Sequence, residues 1–392
     1  MKATFTIASP GAHRREVLGD DDVSDPELAE LVAELWRVSS VSLLDSTAET
    51  VDYDVPSILT GARTWVRGHA DDGDGPRAFT LFVKRVHHWR HSPAFAFVPP
   101  EIGAWAADSV PWRAEPLIYA SDLAERLPDG LTMARGLRVD EREDQTAVLW
   151  LEAVDCDPVP WTVDDSARAA RALGRLSGNP RVAALAAIDP QRWHIESFVA
   201  GRLAHTVLPG LYDDATWRHP AVAEHFGDLR EPLEAVARHL DALAGEFTRM
   251  QHLAAHGDAC PNNLLRREGD PGFTLIDFGF WRPQPVGFDL SQLLVGDIQI
   301  GRQDASDLPE RAAACVAAYA AGLADEGLEV PLAEVRRGHA VSLMLFNGLP
   351  SLPADMPPAL AGDDAAVDHW VAQRAGIARY ALDVLARTEP AA

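Results

Sequence analysis

The sequence predicts an α+β fold of two lobes: a small N-lobe of mostly antiparallel strands with a helix, and a larger, mainly helical C-lobe. The chain has 392 residues, more than one hydrophobic core usually organises, so two units are expected. Strand patterns dominate before about residue 154, whereas amphipathic helical patterns dominate after it. We therefore expect an N-lobe over residues 1–151, a hinge over 152–158 and a helical C-lobe over 159–392.

The composition argues against several classes of protein. Thirty-five basic residues against 59 acidic ones leave a net charge of −24, which disfavours nucleic-acid binding. No stretch approaches the ~20 apolar residues of a membrane helix, and the first residues predict no signal peptide. The three cysteines lie too far apart for a disulfide framework or a CxxC zinc site. We expect a cytoplasmic enzyme, monomeric or homodimeric, with neither a nucleic-acid nor a membrane partner.

Local patterns predict the elements of the N-lobe in order. Ser24 and Glu27 form a capping pattern that predicts the start of a helix. The segment Thr60–Arg63 predicts the turn of a hairpin over about 55–69, and the Asp- and Gly-rich segment 71–76 predicts a loop. Further periodic segments are a strand over 78–86, a helix over 112–126 and a strand over 146–154.

Helical patterns predict most of the C-lobe. Asp164 or Asp165 is placed to cap a helix whose apolar residues follow at helical spacing. A long amphipathic stripe from Leu233 to Phe247 predicts one helix that ends near Leu253. The last third alternates helical patterns with breaks at Pro and Gly.

Lysine is almost absent from this chain. Of the 35 basic residues, 33 are Arg, and Lys2 and Lys84 are the two Lys. Lys84 lies inside the strand pattern 78–86, where a compact ammonium is not replaceable by a planar guanidinium if the site is tight. The alternative is that Lys84 has no function and lies by chance on a solvent-exposed strand edge.

The most informative segment lies between residues 255 and 293. It contains His256-Gly257-Asp258 and, after four residues, Asn263; Ile276-Asp277-Phe278-Gly279 follows. Two short apolar strands over 264–266 and 273–277 predict a hairpin that folds Asp277 back toward Asn263. Mg²⁺ prefers hard oxygen ligands, and a carboxylate held off the metal can deprotonate an attacking hydroxyl. We assign Asn263 and Asp277 to the metal and Asp258 to the hydroxyl.

These motifs resemble those of the aminoglycoside phosphotransferase and choline kinase family, small-molecule kinases with a protein-kinase-like fold. The resemblance implies that Asp258, in the catalytic loop 256–263, is the base and that Asn263 and Asp277, the latter in the segment 276–279, hold Mg²⁺. It further implies that His256 braces the loop, and that Asp289, in Gly287-Phe288-Asp289-Leu290, supports it.

The resemblance extends to Lys84, which would pair the α- and β-phosphates of the nucleotide. Its expected partner is a carboxylate on a helix, and Glu115 is the best candidate, with Glu101 and Glu125 nearby. An early-helix Glu is also stabilised by the helix dipole, so Glu115 has a structural alternative.

The other nucleotide contacts follow from the same resemblance. Glu152, Ala153 and Val154 fit the strand that enters the hinge, where the backbone would contact the adenine edge. No G-x-G-x-x-G precedes Lys84, so the phosphate loop falls on the region around Thr60 and Gly61.

Two features are candidates for the acceptor site. Trp281 either flanks the acceptor pocket or packs the hairpin. In the family, acidic side chains of the C-terminal helices line the site for cationic acceptors; the alternative here is a solvated acidic face. The acidic side chains concerned are Asp355, Asp363, Asp364 and Asp368.

The sequence thus predicts an enzyme that moves the γ-phosphoryl of ATP or GTP, with Mg²⁺, to a hydroxyl of a small molecule. An aminoglycoside-like antibiotic, with a role in antibiotic resistance, is the first candidate acceptor. A sugar, a nucleoside antibiotic or an amino alcohol remains open. A catalytically idle kinase-like protein that binds a nucleotide or ligand is the rival. A protein kinase is disfavoured because no recognisable activation segment follows Asp277.

Overall fold

The computed structural model of the protein describes residues 12–51, 57–157, 160–353 and 363–388. The chain divides into two compact units. One unit ends at Glu125 and resumes over Met133–Cys156, and the other contains Arg126–Thr132 and the chain from Asp157 onward. No local pattern predicted that residues 126–132 join the second unit. The hinge over 152–158 stays a prediction.

The strands and helices of the described residues have the following bounds. The strands are β1 (Ala12–His13), β2 (Ser42–Thr50), β3 (Thr60–Asp71), β4 (Pro76–His87), β5 (Leu131–Met133), β6 (Gly136–Glu141), β7 (Thr146–Glu152), β8 (His252–Ala255), β9 (Leu264–Leu265), β10 (Phe273–Leu275) and β11 (Arg282–Pro285). The helices are α1 (Arg14–Leu18), α2 (Asp25–Trp36), α3 (Gly103–Asp108), α4 (Ala114–Tyr119), α5 (Leu123–Arg126), α6 (Val163–Gly178), α7 (Pro180–Ala183), α8 (Ile195–Phe198), α9 (Leu208–Tyr212), α10 (Asp214–Arg218), α11 (Pro220–Phe226), α12 (Arg230–Arg238), α13 (Leu240–Arg249), α14 (Leu290–Gln299), α15 (Leu308–Asp325), α16 (Leu332–Leu343) and α17 (Asp364–Arg387).

The first unit is built on a six-stranded antiparallel sheet with the order β1-β2-β3-β4-β7-β6. Helix α2 covers one face of it, where Leu28 and Val32 belong to one apolar cluster with Val66, Leu81 and Val83. Burial of these side chains from water is the main favourable contribution to the stability of this layer.

The hairpin turn predicted at Thr60–Arg63 is wrong. Strand β3 runs without a turn from Thr60 to Asp71 and pairs with β4 along its whole length. Gly61 lies where the register shifts between Thr60 and Ala62, so the glycine marks a β-bulge. The predicted loop at 71–76 corresponds to the turn between β3 and β4.

Two helix predictions in this unit had different outcomes. The predicted cap of α2 is confirmed: the Ser24 peptide N–H donates to Glu27 Oε2 at 2.8 Å, in a reciprocal capping box. The single helix predicted over 112–126 is wrong, because the chain forms α4 and α5 with a break between them. At this break Ser121 folds back, and its hydroxyl donates to the Ile118 carbonyl at 2.7 Å.

In the second unit, α6 and α15 lie very close together. A Cβ on Gly174 would lie 2.1 Å from the Tyr319 carbonyl oxygen. The residue that caps α6 is Thr162, which forms a capping box with Asp165, so the predicted caps Asp164 and Asp165 are corrected by two or three residues. Asp165 occupies the third helical position of this box.

The long helix predicted to end near Leu253 is also wrong. The stripe divides into α12 and α13 around His239, and α13 ends at Arg249. Leu253 instead lies in β8 and pairs with Gln284 of β11, a contact between residues distant in sequence. No helix within the described ranges combines the length and hydropathy that crossing a bilayer requires.

Strand β10 pairs with β9 on one side and β5 on the other. The Thr132 hydroxyl hydrogen-bonds to the Thr274 hydroxyl at 2.9 Å. This pairing explains why residues 126–132 belong to the second unit.

Candidate active site

The loop over residues 256–263 joins β8 to β9 and begins with a close backbone approach. Gly257 has a φ of +85°, in the left-handed region. A Cβ at this position would lie 2.0 Å from the Phe280 carbonyl oxygen. Both the dihedral angle and the available space therefore require glycine between His256 and Asp258.

Asp289 stands directly before α14 and holds the first residues of this loop. Its two carboxylate oxygens accept the peptide N–H groups of His256 and Gly257, each at 2.9 Å. Burial raises the pKa of Asp289 to about 6, although the two peptide donors act in the opposite direction. The structure thus brings together Asp289 and the loop it was predicted to support.

His256 is fully buried and connects the loop to the segment before Asp277. Its Nε2 lies 3.0 Å from the Ile276 carbonyl oxygen, and the Asp258 peptide N–H donates to its Nδ1 at 3.4 Å. These contacts assign the proton to Nε2, since a carbonyl accepts and a peptide N–H donates. Both ring nitrogens are engaged with backbone, which suits a bracing residue.

Asn263 orients the carboxylate of Asp258. The Asn263 Nδ2 donates to the Asp258 carbonyl oxygen at 2.8 Å and to Asp258 Oδ2 at 3.1 Å. The amide nitrogen is therefore used inside the loop. In the described part of the chain, no donor to Asn263 Oδ1 is found, so this oxygen is the atom that a metal would use.

The hairpin of β9 and β10 carries Asp277 to the same place. Leu264 pairs with Leu275, and the Ile276 peptide N–H donates to the Asn263 carbonyl oxygen at 3.2 Å. Asp277 comes next and has a φ of +63°, a conformation that is uncommon for any residue other than glycine. Backbone strain of this kind persists where the surrounding structure imposes it.

The carboxylates of Asp258 and Asp277 both affect the thiol of Cys260. Burial raises the pKa of the Cys260 thiol well above its usual value, and the negative charges of Asp258 and Asp277 raise it further. The carboxylates of Asp258 and Asp277 thus both act on Cys260, in the loop that also carries the amide oxygen of Asn263. These are hard oxygen donors, and together they fit Mg²⁺.

In the first unit, Lys84 and Glu115 form a buried ion pair. The Lys84 ammonium lies 2.8 Å from Glu115 Oε1 and 2.7 Å from Oε2, and both residues are at most 3% exposed. Glu101 and Glu125, the alternative partners, are exposed. The structure thus brings Glu115 of α4 to Lys84 and removes the solvated-edge alternative for Lys84.

The other residues predicted to contact the nucleotide lie in different kinds of local structure. The Glu152 carboxylate is engaged by Arg135, which donates to it from its peptide N–H at 2.9 Å and from Nε at 2.8 Å. Ala153 and Val154 follow β7 as half-buried irregular backbone. Thr60 and Gly61 lie on β3 rather than on a loop, and their contact with phosphate stays a prediction.

The predicted acceptor residues make structural contacts. Trp281 is 1% exposed, and its Nε1 donates to the Leu185 carbonyl oxygen at 2.9 Å, which favours the packing alternative. Asp363 accepts the Ala366 peptide N–H at 3.0 Å and caps α17, and Asp364 is exposed in its first turn. Asp368 hydrogen-bonds to His225, and Asp355 lies outside the described residues.

The sequence analysis missed a stack of rings beside the loop. The Arg282 guanidinium lies over the Trp193 ring at 5.1 Å and over the Phe280 ring at 5.6 Å. Phe280 is the residue whose carbonyl oxygen approaches Gly257. Arg282 and Phe280 follow the Asp277-Phe278-Gly279 motif closely, but no sequence pattern connects Trp193 to them.

Comparisons with known proteins bear on the fold of the chain. The sequence profile of the phosphotransferase enzyme family matches residues 146–331. An aminoglycoside phosphotransferase from Alicyclobacillus acidocaldarius subsp. acidocaldarius is 16% identical, with a TM-score of 0.54 over 94% of this chain and 98% of that chain. This likeness shows the fold.

Two further solved structures are similar at lower scores. A spectinomycin phosphotransferase in complex with ADP and spectinomycin is 11% identical, covers 93% of this chain and 99% of that chain, and has a TM-score of 0.46. An amicoumacin kinase is 14% identical, covers 89% and 88%, and has a TM-score of 0.45. No curated protein sequence matches. The predicted resemblance and the protein-kinase-like α+β fold are confirmed: residues 146–331 match the profile of the phosphotransferase enzyme family.

Proposed function

We propose that this phosphotransferase is a small-molecule kinase that moves the γ-phosphoryl of ATP or GTP to a hydroxyl group. One observation carries the proposal: a single loop and hairpin hold Asp258, Asn263 and the start of the Asp277 motif together. Phosphoryl transfer depends on positioning and on electrostatic stabilisation of spread negative charge, and this set of residues suits both tasks.

Asp258 is the residue that orients and deprotonates the acceptor hydroxyl. Its carboxylate is held by the Asn263 amide at 3.1 Å, and its peptide N–H is fixed on His256. A positioned general base contributes about 10²–10⁴-fold to a rate. His256 and Asp289 act by keeping the loop in place.

Asn263 and Asp277 are the residues that would hold Mg²⁺. When bound, the ion neutralises charge on the β- and γ-phosphate oxygens. Asn263 supplies its Oδ1, since its Nδ2 is already committed to Asp258. Asp277 supplies a carboxylate on a backbone that is held in the left-handed region.

Lys84 binds the α- and β-phosphates in this proposal, and Glu115 fixes the position of its ammonium. Two short contacts to one buried carboxylate restrict the lysine side chain before any ligand arrives. The adenine edge of the nucleotide contacts the backbone of Glu152, Ala153 and Val154 in this proposal. The predicted phosphate contacts of Thr60 and Gly61 belong to the same proposal.

The acceptor is proposed to be an aminoglycoside-like antibiotic or a related hydroxylated metabolite. A net charge of −24 steers cationic acceptors toward the protein and supports a polyamine over an acidic acceptor. Sugars, nucleoside antibiotics and amino alcohols are the alternatives. We further propose a cytoplasmic location.

The test is a screen for consumption of ATP and GTP, with Mg²⁺, across hydroxylated antibiotics and metabolites, with products identified by mass. With the acceptor found, Asp258→Asn should lower turnover about 10²–10⁴-fold while thermal unfolding stays unchanged. The matched control is Asp241→Asn, an exposed carboxylate in the first turn of α13. It should retain full activity.

Three outcomes would overturn parts of this proposal. Wild-type turnover in Asp258→Asn would remove Asp258 as the base. Nucleotide binding without transfer to any member of the panel would favour the idle binding protein. Transfer of labelled phosphate to protein substrates would favour the protein kinase instead.

A further inference from the structure

Arg282 lies on strand β11 beside the start of the loop over residues 256–263. Where β11 pairs with β8, Arg282 stands opposite Ala255, the last residue before the loop. The Arg282 side chain folds back along its own segment, and its Nε donates to the Phe280 carbonyl oxygen at 3.2 Å. Arg282 thus joins the strand that enters the loop to the backbone of Phe280.

The Phe280 carbonyl oxygen contacts the loop itself. A Cβ on Gly257 would lie 2.0 Å from this oxygen, so the Gly257 backbone and the oxygen are in close contact. Asp289 holds Gly257 as well, through the peptide N–H, and the next residue in the chain is Asp258. The backbone that carries Asp258 therefore has two supports, the Asp289 carboxylate and the Phe280 carbonyl.

Two aromatic rings fix the Arg282 guanidinium. It lies 5.1 Å from the centre of the Trp193 ring and 5.6 Å from that of the Phe280 ring, within the distance at which the face of a ring attracts a cation. Burial lowers the pKa of Arg282 to about 10, and the negative charge of Asp189 acts in the opposite direction. The guanidinium is therefore charged at neutral pH, and its attraction to the rings persists.

Trp193 and Asp189 belong to the segment between α7 and α8, and this segment also holds the residue before Arg282. Trp281 is buried, and its Nε1 donates to the Leu185 carbonyl oxygen at 2.9 Å. All of these residues lie in the second unit. The contacts of Arg282 therefore link this segment to the loop within one compact unit.

We propose that Arg282 is a positioning residue: its guanidinium, held on Trp193, fixes the Phe280 carbonyl and thereby the place of Asp258. The inference rests on the proposed function, in which Asp258 is the base. Arg282 itself touches neither substrate nor nucleotide in this proposal. A general base acts from a fixed position, and a misplacement of about 1 Å can cost about 10²-fold in rate. Loss of the Arg282 contacts should therefore slow the chemical step more than it weakens binding.

The first experiment measures backbone hydrogen exchange of the whole protein, without ligand, by mass spectrometry of peptides that cover the start of the loop. The peptide N–H groups of His256, Gly257 and Asp258 each donate to a side chain, so they exchange slowly while the loop is held. Arg282→Met keeps much of the side-chain volume and removes the charge and the Nε donor. It should speed this exchange about tenfold.

The matched control is Arg230→Met. Arg230 of α12 lies over the ring of Trp217 of α10 at 5.3 Å, so this variant loses the same kind of contact elsewhere in the unit. Exchange at the start of the loop should equal that of wild type. Trp193→Phe keeps a ring beside Arg282 and should also resemble wild type, whereas Trp193→Leu should resemble Arg282→Met.

The second experiment measures hydrolysis of ATP and GTP with Mg²⁺, in which water takes the place of the acceptor hydroxyl. Turnover of Arg282→Met should fall about 10- to 10²-fold, while KM for the nucleotide changes less than about twofold. The double variant Arg282→Met/Trp193→Leu should be no slower than Arg282→Met, because Trp193 acts only through Arg282. Thermal unfolding verifies that every variant is folded. A merely structural role would lower the unfolding temperature and leave the turnover per folded molecule unchanged.

The proposal fails if Arg282→Met exchanges no faster than Arg230→Met, if the effects of Arg282→Met and Trp193→Leu on turnover add, or if the turnover of Arg282→Met stays at the wild-type value. Faster exchange together with reduced turnover supports it. If wild type neither hydrolyses a nucleotide nor transfers phosphate in the screen, the proposed function fails, and hydrogen exchange alone decides whether Arg282 holds the loop.

Discussion

Replacing Lys84 by Met tests the buried ion pair of the first unit. The ammonium makes contacts of 2.7 and 2.8 Å with Glu115, and neither residue is more than 3% exposed. Methionine is similar in length and apolar, so the substitution removes the charge while keeping most of the volume. The Glu115 carboxylate is then buried without its cation.

The expected loss of stability follows from this burial. Removing one partner of a buried pair costs about 3–5 kcal/mol, because the remaining charge has lost both water and its counter-charge. Replacing both partners by apolar residues of similar size is often neutral. Lys84→Met/Glu115→Leu should therefore lie within about 1 kcal/mol of wild type, which gives a coupling free energy of about 5 kcal/mol or more when each single variant loses about 3–5 kcal/mol.

The assay is urea unfolding followed by tryptophan fluorescence and circular dichroism, for wild type, both single variants and the double variant. The control is Arg113→Met, since Arg113 and Glu141 form a pair in the same unit with side chains 40% and 34% exposed. An exposed pair contributes about 0–1 kcal/mol. Phosphoryl transfer measured in parallel separates stability from function, because the double variant should be folded and inactive.

Two results would refute this reasoning. If Lys84→Met loses no more stability than Arg113→Met, the pair is not a buried charge pair in solution. If the double variant recovers transfer together with stability, Lys84 acts through the fold and does not bind phosphates.

Two further predictions concern the loop. Gly257→Ala should cost about 1–3 kcal/mol of stability from backbone strain and more from the clash with the Phe280 carbonyl, and it should abolish transfer. The control in thermal unfolding is Gly269→Ala, because Gly269 has a φ of +79° but open space around it. Equal losses of stability in the two variants would contradict the clash. The pKa of Asp289 is raised from 3.8 to about 6, so the folded state holds this proton more tightly. The free energy of unfolding should therefore gain about 2 kcal/mol as the pH falls from 7 to 4, and about 3 kcal/mol in all once the pH is below 3.8. Urea unfolding at several pH values should show that Asp289→Asn lacks this gain; an identical pH dependence in both proteins would contradict it.

The motifs of the candidate site could be recognised from sequence because each is local. His256, Asp258 and Asn263 lie within eight residues, and the short β9–β10 hairpin leaves the chain few ways to place Asp277. The scarcity of lysine similarly made Lys84 a candidate on composition and strand pattern alone. The capping box of α2 was also predicted from four adjacent residues.

Two errors of the sequence analysis have a common cause. Gly61 indicated a turn, but pairing with β4 kept the backbone in a strand and confined the glycine to a bulge. A continuous apolar stripe indicated one long helix, but β8 had to begin at His252 to pair with β11. In each case a partner distant in sequence overrode the local preference.

By itself the sequence indicated the family resemblance, the fold class and the candidate residues of the loop, because these depend on side-chain chemistry at short spacing. The tertiary structure alone decided which of three glutamates meets Lys84, that Trp281 is buried, and that Arg282 lies between Trp193 and Phe280. These outcomes depend on which segments pack together across many residues, and burial and charge pairing are settled only at that level.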